Sequence, residues 1–336
     1  MMGSNTEQLD LLIIGAGPAG ISAAYAAKVE GLNYLVIERG LLAHTIYNYP
    51  VGLPVFSTPD ELEMLPGTLE LARDKPTREE LLAHYVRFIL EQNLRINTEE
   101  EALELKHDDG ESFSVRTTRS QYRAMRVLVA VGAMSRLRRL NVPGEDLPKV
   151  QHRFVEPFPF VRKDALVIGG GNSAAEAALF LAEGGARTTL AIWPSDWENR
   201  DPKAGAIKAW VRTPLEREIK ENRLQIVLFK RIEEITEREV RIETEEEARL
   251  LLPNDAVFIL IGSDADLMLL RQAGVEIVRS ERGCDVPVYD QETFETNVRG
   301  IYVAGHFTNA RHIKDAIAVP RRIVPLIAQS LRAAAV

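Results

Sequence analysis

Gly15, Gly17 and Gly20, in the run Gly15-Ala16-Gly17-Pro18-Ala19-Gly20, stand at a spacing that can do chemistry, and so do Gly169, Gly171 and Ala174, in Gly169-Gly170-Gly171-Asn172-Ser173-Ala174. In such a turn the first glycine permits a tight bend, the second lets a pyrophosphate approach the backbone, and the third position lets a helix lie close to a strand. The phosphate charge then faces the positive end of that helix. Each run is read as a cradle for an ADP-containing cofactor. Side-chain chemistry is harder to assign. His44, His306 and His312 are candidates for proton transfer, although a lone histidine is more often a structural hydrogen-bonder, and no general acid, base or nucleophile is named. No cluster of His, Cys and Asp has ligand spacing, so no metal is expected.

A glycine pattern alone is a weak signal, and its setting strengthens it. Leu11 to Ile14 reads as a buried parallel strand and Ile21 to Val29 as a helix rich in small residues. A second strand, Tyr34 to Ile37, ends on Glu38, eighteen positions after Gly20, where a carboxylate can accept hydrogen bonds from a ribose diol. Gly40 to Pro66 has no clear period and reads as a long ordered loop near the cofactor, whose Tyr47, Tyr49 and Phe56 either flank a flavin ring or pin the loop to the core. Thr77 and Glu80 form a capping box for a helix with Leu81, Tyr85, Phe88 and Ile89 on its inner face. Strands Leu103 to Lys106 and Phe113 to Thr117, joined at Asp108-Asp109-Gly110, precede Tyr122 to Val131, which ends in Ala130-Val131-Gly132. This small meander returns the chain to the first sheet.

The order of events then repeats. Ala165 to Ile168 is a strand, Ala175 to Glu183 a helix stopped by Gly184-Gly185, and Thr188 to Ile192 the next strand. Meander-like strands recur at Arg231 to Ile235 and Val240 to Thr244, before Val257 to Ile261 ends in Gly262. A last strand within Gly300 to Gly305 and a C-terminal helix broken by Pro320 and Pro325 return to finish the first domain. The expected class is α/β, with two Rossmann-like dinucleotide-binding domains of three-layer β/β/α form, each with a small β-meander. The first takes residues 1–146 and 266–336, and the second 147–265. Two such sites in one chain suggest hydride transfer from a nicotinamide to a flavin, with the flavin at the first site. A helix from about Arg311 would aim its positive end at the flavin.

Composition limits the alternatives. The chain has 336 residues and a net charge of −8, with no basic stripe, which argues against a nucleic-acid partner. Its apolar runs are strand-length and its first ten residues polar, so neither a membrane span nor a secretory leader is expected. The only cysteine, Cys284, excludes an intrachain disulfide and fits a reducing, cytoplasmic location.

With both turns, Ala130-Val131-Gly132 and Thr296-Asn297-Val298-Arg299-Gly300-Ile301-Tyr302-Val303-Ala304-Gly305 in view, the chain resembles the low-molecular-weight thioredoxin-reductase superfamily over nearly its whole length. More narrowly it resembles the bacillithiol-disulfide-reductase branch, on Ile46-Tyr47-Asn48-Tyr49-Pro50, Phe56-Ser57-Thr58-Pro59, Lys75-Pro76-Thr77-Arg78, Asn141 to Pro148 and Val286 to Asn297. The resemblance implies an FAD domain built from both chain ends, an NAD(P)H domain between them, commonly a homodimer, and a reduced flavin that passes electrons to a disulfide. It carries an FAD role onto Gly15, Gly17, Pro18, Ala19, Gly20, Glu38, Arg39, Tyr47, Ala130, Gly132, Gly305, His306 and Ile313. A role toward NAD(P) or another nucleotide falls on Gly169, Gly171, Asn172, Ser173, Ala174, Trp193 and Gly262.

The departures bear on the substrate. Thioredoxin reductases carry a CxxC before the second glycine turn, where this chain reads Gln151-His152-Arg153-Phe154-Val155-Glu156. The bacillithiol branch places its reactive cysteine in the first turn, where this chain has Ala19. Superfamily members usually have Asp at His306. NADPH-specific relatives place a basic cluster after the second strand, where this chain has Trp193-Pro194-Ser195-Asp196. No acid ends that strand either, so an NAD-type ribose contact is not evident and NADH versus NADPH stays open; Arg200 is the nearest other base. The resulting expectation is an FAD-dependent oxidoreductase taking hydride from NAD(P)H and reducing a small-molecule or small-protein acceptor without a dithiol relay. The alternative is a non-catalytic or sensor flavoprotein whose second site has lost nicotinamide recognition.

Overall fold

Leu11, Leu12, Ile13 and Ile14 are apolar in succession because their strand, Gln8–Ile14, is covered on both faces. Leu11 and Ile13 enter one core beneath the helices, while Leu12 and Ile14 enter a second core on the other face. Burying each of these side chains contributes about 2 kcal/mol. The computed structural model describes residues 8–108, 112–201, 205–280, 283–309 and 312–334. The readings made at Asp109-Gly110 and Arg311 lie outside these residues.

The chain divides into two compact units, one running to Arg136 and resuming at Asp264, the other spanning Leu137–Ser263. In the first, Gln8–Ile14 lies between Tyr34–Ile37 and Gln121–Val129, parallel to both. Gln121–Val129 changes neighbour along its length. Its start pairs antiparallel with Phe113–Thr117, part of the meander, and its end pairs in parallel with the late strand Ile301–Val303. The C-terminal segment therefore joins the sheet begun at the N-terminus. On the helical face, the helix Pro18–Val29 packs against the helix Ile313–Ala334, and the Ser22 hydroxyl donates to the Ile317 carbonyl at 2.6 Å.

Two expectations about this unit are corrected. Pro320 and Pro325 lie inside one continuous helix and do not break it. Each proline removes a ladder hydrogen bond, but Ile317, Ile323, Val324, Ile327 and Ala328 are buried along the helix, and that burial outweighs the loss. Residues 40–66, read as loop, contain the short helices His44–Tyr47 and Pro59–Leu62. Pro59 opens the second of these with Asp60 and Glu61 in its first turn. Ile46, Val55, Leu62 and Met64 anchor the segment in the core.

In the second unit a parallel sheet runs in the order Leu224–Leu228, Arg187–Ile192, Asp164–Ile168, Ala256–Ile259, Val150–Gln151. Arg231–Ile235, Glu239–Glu243 and Arg249–Pro253 form a separate antiparallel sheet. Residues 137–146, read from the sequence as part of the first domain, pack here. Leu140 and Val142 sit against the core containing Ile232 and Ile235, and the Ile235 amide donates to the Pro143 carbonyl at 2.9 Å. The Pro143-Gly144 turn punctuates the sequence, but apolar contact decides which unit holds it. Among the described residues no helix is long and apolar enough to cross a membrane.

The expected capping box is present. Thr77 Oγ1 accepts from the Glu80 amide while the Glu80 carboxylate accepts from the Thr77 amide at 2.8 Å, at the start of Arg78–Glu91. Thr77→Ala is expected to lower the unfolding free energy by about 1 kcal/mol in denaturant titration. An unchanged midpoint would show that the box contributes nothing.

Candidate functional site: two glycine cradles

The first cradle is held by backbone meeting backbone. Gly15 has φ of +108°, and a Cβ there would lie 2.5 Å from the Ala130 carbonyl oxygen; one at Gly20 would lie 1.8 Å from the Gly15 carbonyl oxygen. A side chain at either position forces the strand end and the helix apart. Gly17 differs, since a Cβ there meets nothing within 4 Å. Its backbone faces open space at the start of Pro18–Val29, whose N-terminus has no side-chain cap. An approaching pyrophosphate would find the free first-turn amides here.

Glu38 completes this cradle. One carboxylate oxygen accepts from the Ala16 amide at 2.8 Å and the other from the Gly40 amide at 2.8 Å, so the acid is fixed directly on the glycine turn. Arg39 donates to the Ser135 carbonyl at 3.3 Å. Ala130 is buried, its amide donating to the Ile14 carbonyl at 2.7 Å, and Gly132 follows in the left-handed region. Gly305, with φ of +98°, comes against Ala19: a Cβ at Gly305 would stand 3.3 Å from that of Ala19. The last strand thus delivers its end to the first turn.

His306 reaches solvent, yet the surrounding protein, and secondarily His312, hold its pKa below the ordinary imidazole value. Ile313 begins the C-terminal helix and packs at the edge of the core. Tyr47 lies further out, with its ring under the Arg78 guanidinium at 5.2 Å and its carbonyl accepting two bonds from Arg78. Phe56 sits under Lys75, 5.6 Å from Nζ to the ring centre. Both rings therefore already pack on cations.

The second cradle repeats the first. Gly169 has φ of +152°, and a Cβ there would lie 2.3 Å from the Leu260 carbonyl oxygen, while Gly171 again faces open space. The helix Asn172–Glu183 starts there without a side-chain cap. Ala174 is buried and Ser173 exposed, and Asn172 Oδ1 accepts from the Lys208 amide at 2.8 Å. The Gly262 carbonyl accepts from the Arg138 amide at 3.0 Å. Trp193, half-buried, packs on Phe229 at the edge of the core with ring centres 4.5 Å apart. Arg200 turns back to donate to the Trp197 and Asn199 carbonyls.

Two acids near this cradle were not singled out from the sequence. Asp196 lies over Gly170, so that a Cβ on that glycine would come within 1.9 Å of its Oδ2. Glu176, one turn along the helix from Asn172, has a buried Oε1 with no hydrogen-bond partner among the described residues. Burial pushes its carboxyl up to about 7, with Lys208 opposing the shift. A glutamate inside Asn172-Ser173-Ala174-Ala175-Glu176 carries no signal of burial by itself. Only the helix register against the sheet reveals it.

A model of the pyridine nucleotide-disulphide oxidoreductase family matches residues 12–305. The chain belongs to this family. It is 34% identical over 294 residues to the bacilliredoxin reductase Bdr of Bacillus subtilis, covering 88% of each chain. It is 28% identical over 332 residues to a ferredoxin–NADP reductase of Ignicoccus hospitalis, covering 95% and 94%. Among solved structures it superposes on the bacillithiol disulfide reductase Bdr of Staphylococcus aureus with a TM-score of 0.88 at 32% identity, covering 97% of this chain and 99% of that one. The architecture is thus that of the thioredoxin-reductase-like flavoproteins, and these relatives are oxidoreductases.

Glu176 gives a pH test. The folded carboxyl keeps its proton up to about 7, whereas the unfolded one releases it near 4.5. Stability from this group is complete below the lower value and is lost as pH rises through the upper one. Glu176→Gln is expected to flatten the loss of unfolding free energy between pH 5 and 8 by about 2 kcal/mol, measured by denaturant titration. Equal slopes for both proteins would contradict the assignment.

Proposed function

We propose that this chain is an FAD-dependent oxidoreductase that takes hydride equivalents from a nicotinamide nucleotide and reduces a small-molecule or small-protein acceptor without a dithiol relay. The observation that carries this reading is the doubled cradle, in which Gly17 and Gly171 each leave backbone open at an uncapped helix start. When bound, FAD and the nicotinamide nucleotide supply the hydride chemistry. The chain's own residues hold and orient them.

At the first cradle, Glu38 presents a carboxylate already set by two backbone amides, with lone pairs left for a ribose diol. Gly305 brings the last strand to the same turn without a side chain in the way. His306, its pKa held down, is a neutral donor or acceptor at neutral pH where the superfamily usually has Asp, so no second negative charge enters.

The case against a dithiol relay rests on composition and position. The sequence has one cysteine, and a dithiol needs two. Ala19 occupies the place of the bacillithiol branch's reactive thiol and is buried against Gly305. The Cys284 carbonyl accepts from the Ser280 amide and hydroxyl, which fixes its backbone away from both glycine turns in the sequence.

Anaerobic mixing of the FAD-loaded protein with NADH and with NADPH is expected to bleach the flavin absorbance with at least one of them. Cys284→Ser is expected to leave that rate and the turnover with artificial acceptors unchanged. No bleaching with either nucleotide at millimolar levels contradicts the proposal and favours the non-catalytic flavoprotein. Glu38→Ala is expected to weaken FAD retention about tenfold or more, read by dialysis against free FAD, because a charged acceptor is lost from a pre-set site.

A further inference from the structure

The two cradles can be compared residue by residue. Ala16 and Gly170 are each the second residue of their turn. At the first, the Glu38 carboxylate lies on Ala16, accepting its amide at 2.8 Å. At the second, the Asp196 side chain lies on Gly170, where a Cβ would come within 1.9 Å of Oδ2 and 2.4 Å of Cγ. The absence of a side chain at 170 is what lets this carboxylate approach so closely. We infer that Asp196 is the ribose-binding acid of the second cradle and makes NADH, rather than NADPH, the nucleotide it accepts. This rests on the reading above that the second cradle holds a nicotinamide dinucleotide.

The route of the chain explains why the acid is hidden in the sequence. Glu38 follows its strand directly, whereas Asp196 comes four residues after the end of Arg187–Ile192. Trp193 is fixed on Phe229, Pro194 opens the single helical turn Pro194–Glu198, and the Asp196 amide donates to the Trp193 carbonyl at 3.0 Å. That turn folds the chain back and brings the Asp196 side chain onto Gly170.

Its surroundings suit a diol. Both oxygens of Glu38 accept backbone amides, while Asp196 accepts no hydrogen bond from the described residues. Partial burial raises its pKa, a cost of placing there a carboxylate with no hydrogen-bond donor among the described residues. The two hydroxyls of an adenosine ribose would supply the missing donors.

The same surroundings oppose a 2′-phosphate, which would bring about two negative charges against a carboxylate. Among the described residues, Arg200 and Arg212 are engaged with other partners. Arg200 donates to the Trp197 and Asn199 carbonyls. Arg212 stacks on Trp197 at 4.4 Å, donates to the Trp197 carbonyl and pairs with Glu216 at 2.8 Å.

The test is titration calorimetry of the FAD-loaded protein with NAD+ and with NADP+, which reads binding without turnover. The wild-type chain is expected to bind NAD+ about tenfold or more tightly than NADP+. Asp196→Ala is expected to weaken NAD+ about tenfold, strengthen NADP+, and bring the ratio toward one. Asp196→Asn, which keeps the side chain's size, is expected to retain part of the NAD+ affinity while still admitting NADP+, with FAD content and melting temperature as folding checks on both variants. A wild-type preference for NADP+, equal affinities, or a ratio untouched by both substitutions overturns the role of Asp196 and leaves the oxidoreductase reading standing. If neither nucleotide binds, both fall.

Discussion

The first unit depends on main chain touching main chain at one point. The end of Gln8–Ile14, the start of Pro18–Val29 and the end of Gln121–Val129 converge so closely that a methyl group at Gly15 or Gly20 would strike a carbonyl oxygen. Apolar burial on both faces of the sheet drives these elements together, and the glycines allow the contact to close. Once it is closed, an uncapped helix end faces outward beside a strand-terminal acid. On the reading proposed above, an anion would bind there through backbone geometry, with few side chains involved.

The second unit obeys the same constraint with one change. Gly169 meets Leu260 as Gly15 meets Ala130, and Ala174 stands where Gly20 does, so the cradle survives a small side chain at its third position. The acids diverge more than the turns. In the first unit the carboxylate is tied to the turn by two amides, and in the second it is delivered by an extra helical turn and left without a protein donor among the described residues. Two copies of one plan have thus kept the glycine-turn backbone and changed how a carboxylate is brought onto it.

Much of this was legible in the sequence where the signal was local. Both glycine turns, the strand before each, the Thr77–Glu80 box and the strand Arg231–Ile235 stand where residue pattern places them. What escaped needed tertiary packing. Pro320 and Pro325 read as breaks because propensity does not register the core against which the C-terminal helix is pressed. Residues 137–146 read as first-domain chain because a Pro-Gly turn marks a boundary in sequence, while Leu140 and Val142 settle it by contact. The contact of Asp196 with Gly170 escaped because an acid is looked for at the strand end, and here a one-turn helix places it four residues further along the chain.

On the function proposed above, the glycine turn at Gly15 holds FAD in the working protein. The most direct measurement of this is the amount of FAD released on denaturing the purified, FAD-incubated and desalted chain. One FAD per chain is expected, with a visible flavin spectrum before release. A colourless protein that keeps no FAD after incubation contradicts it.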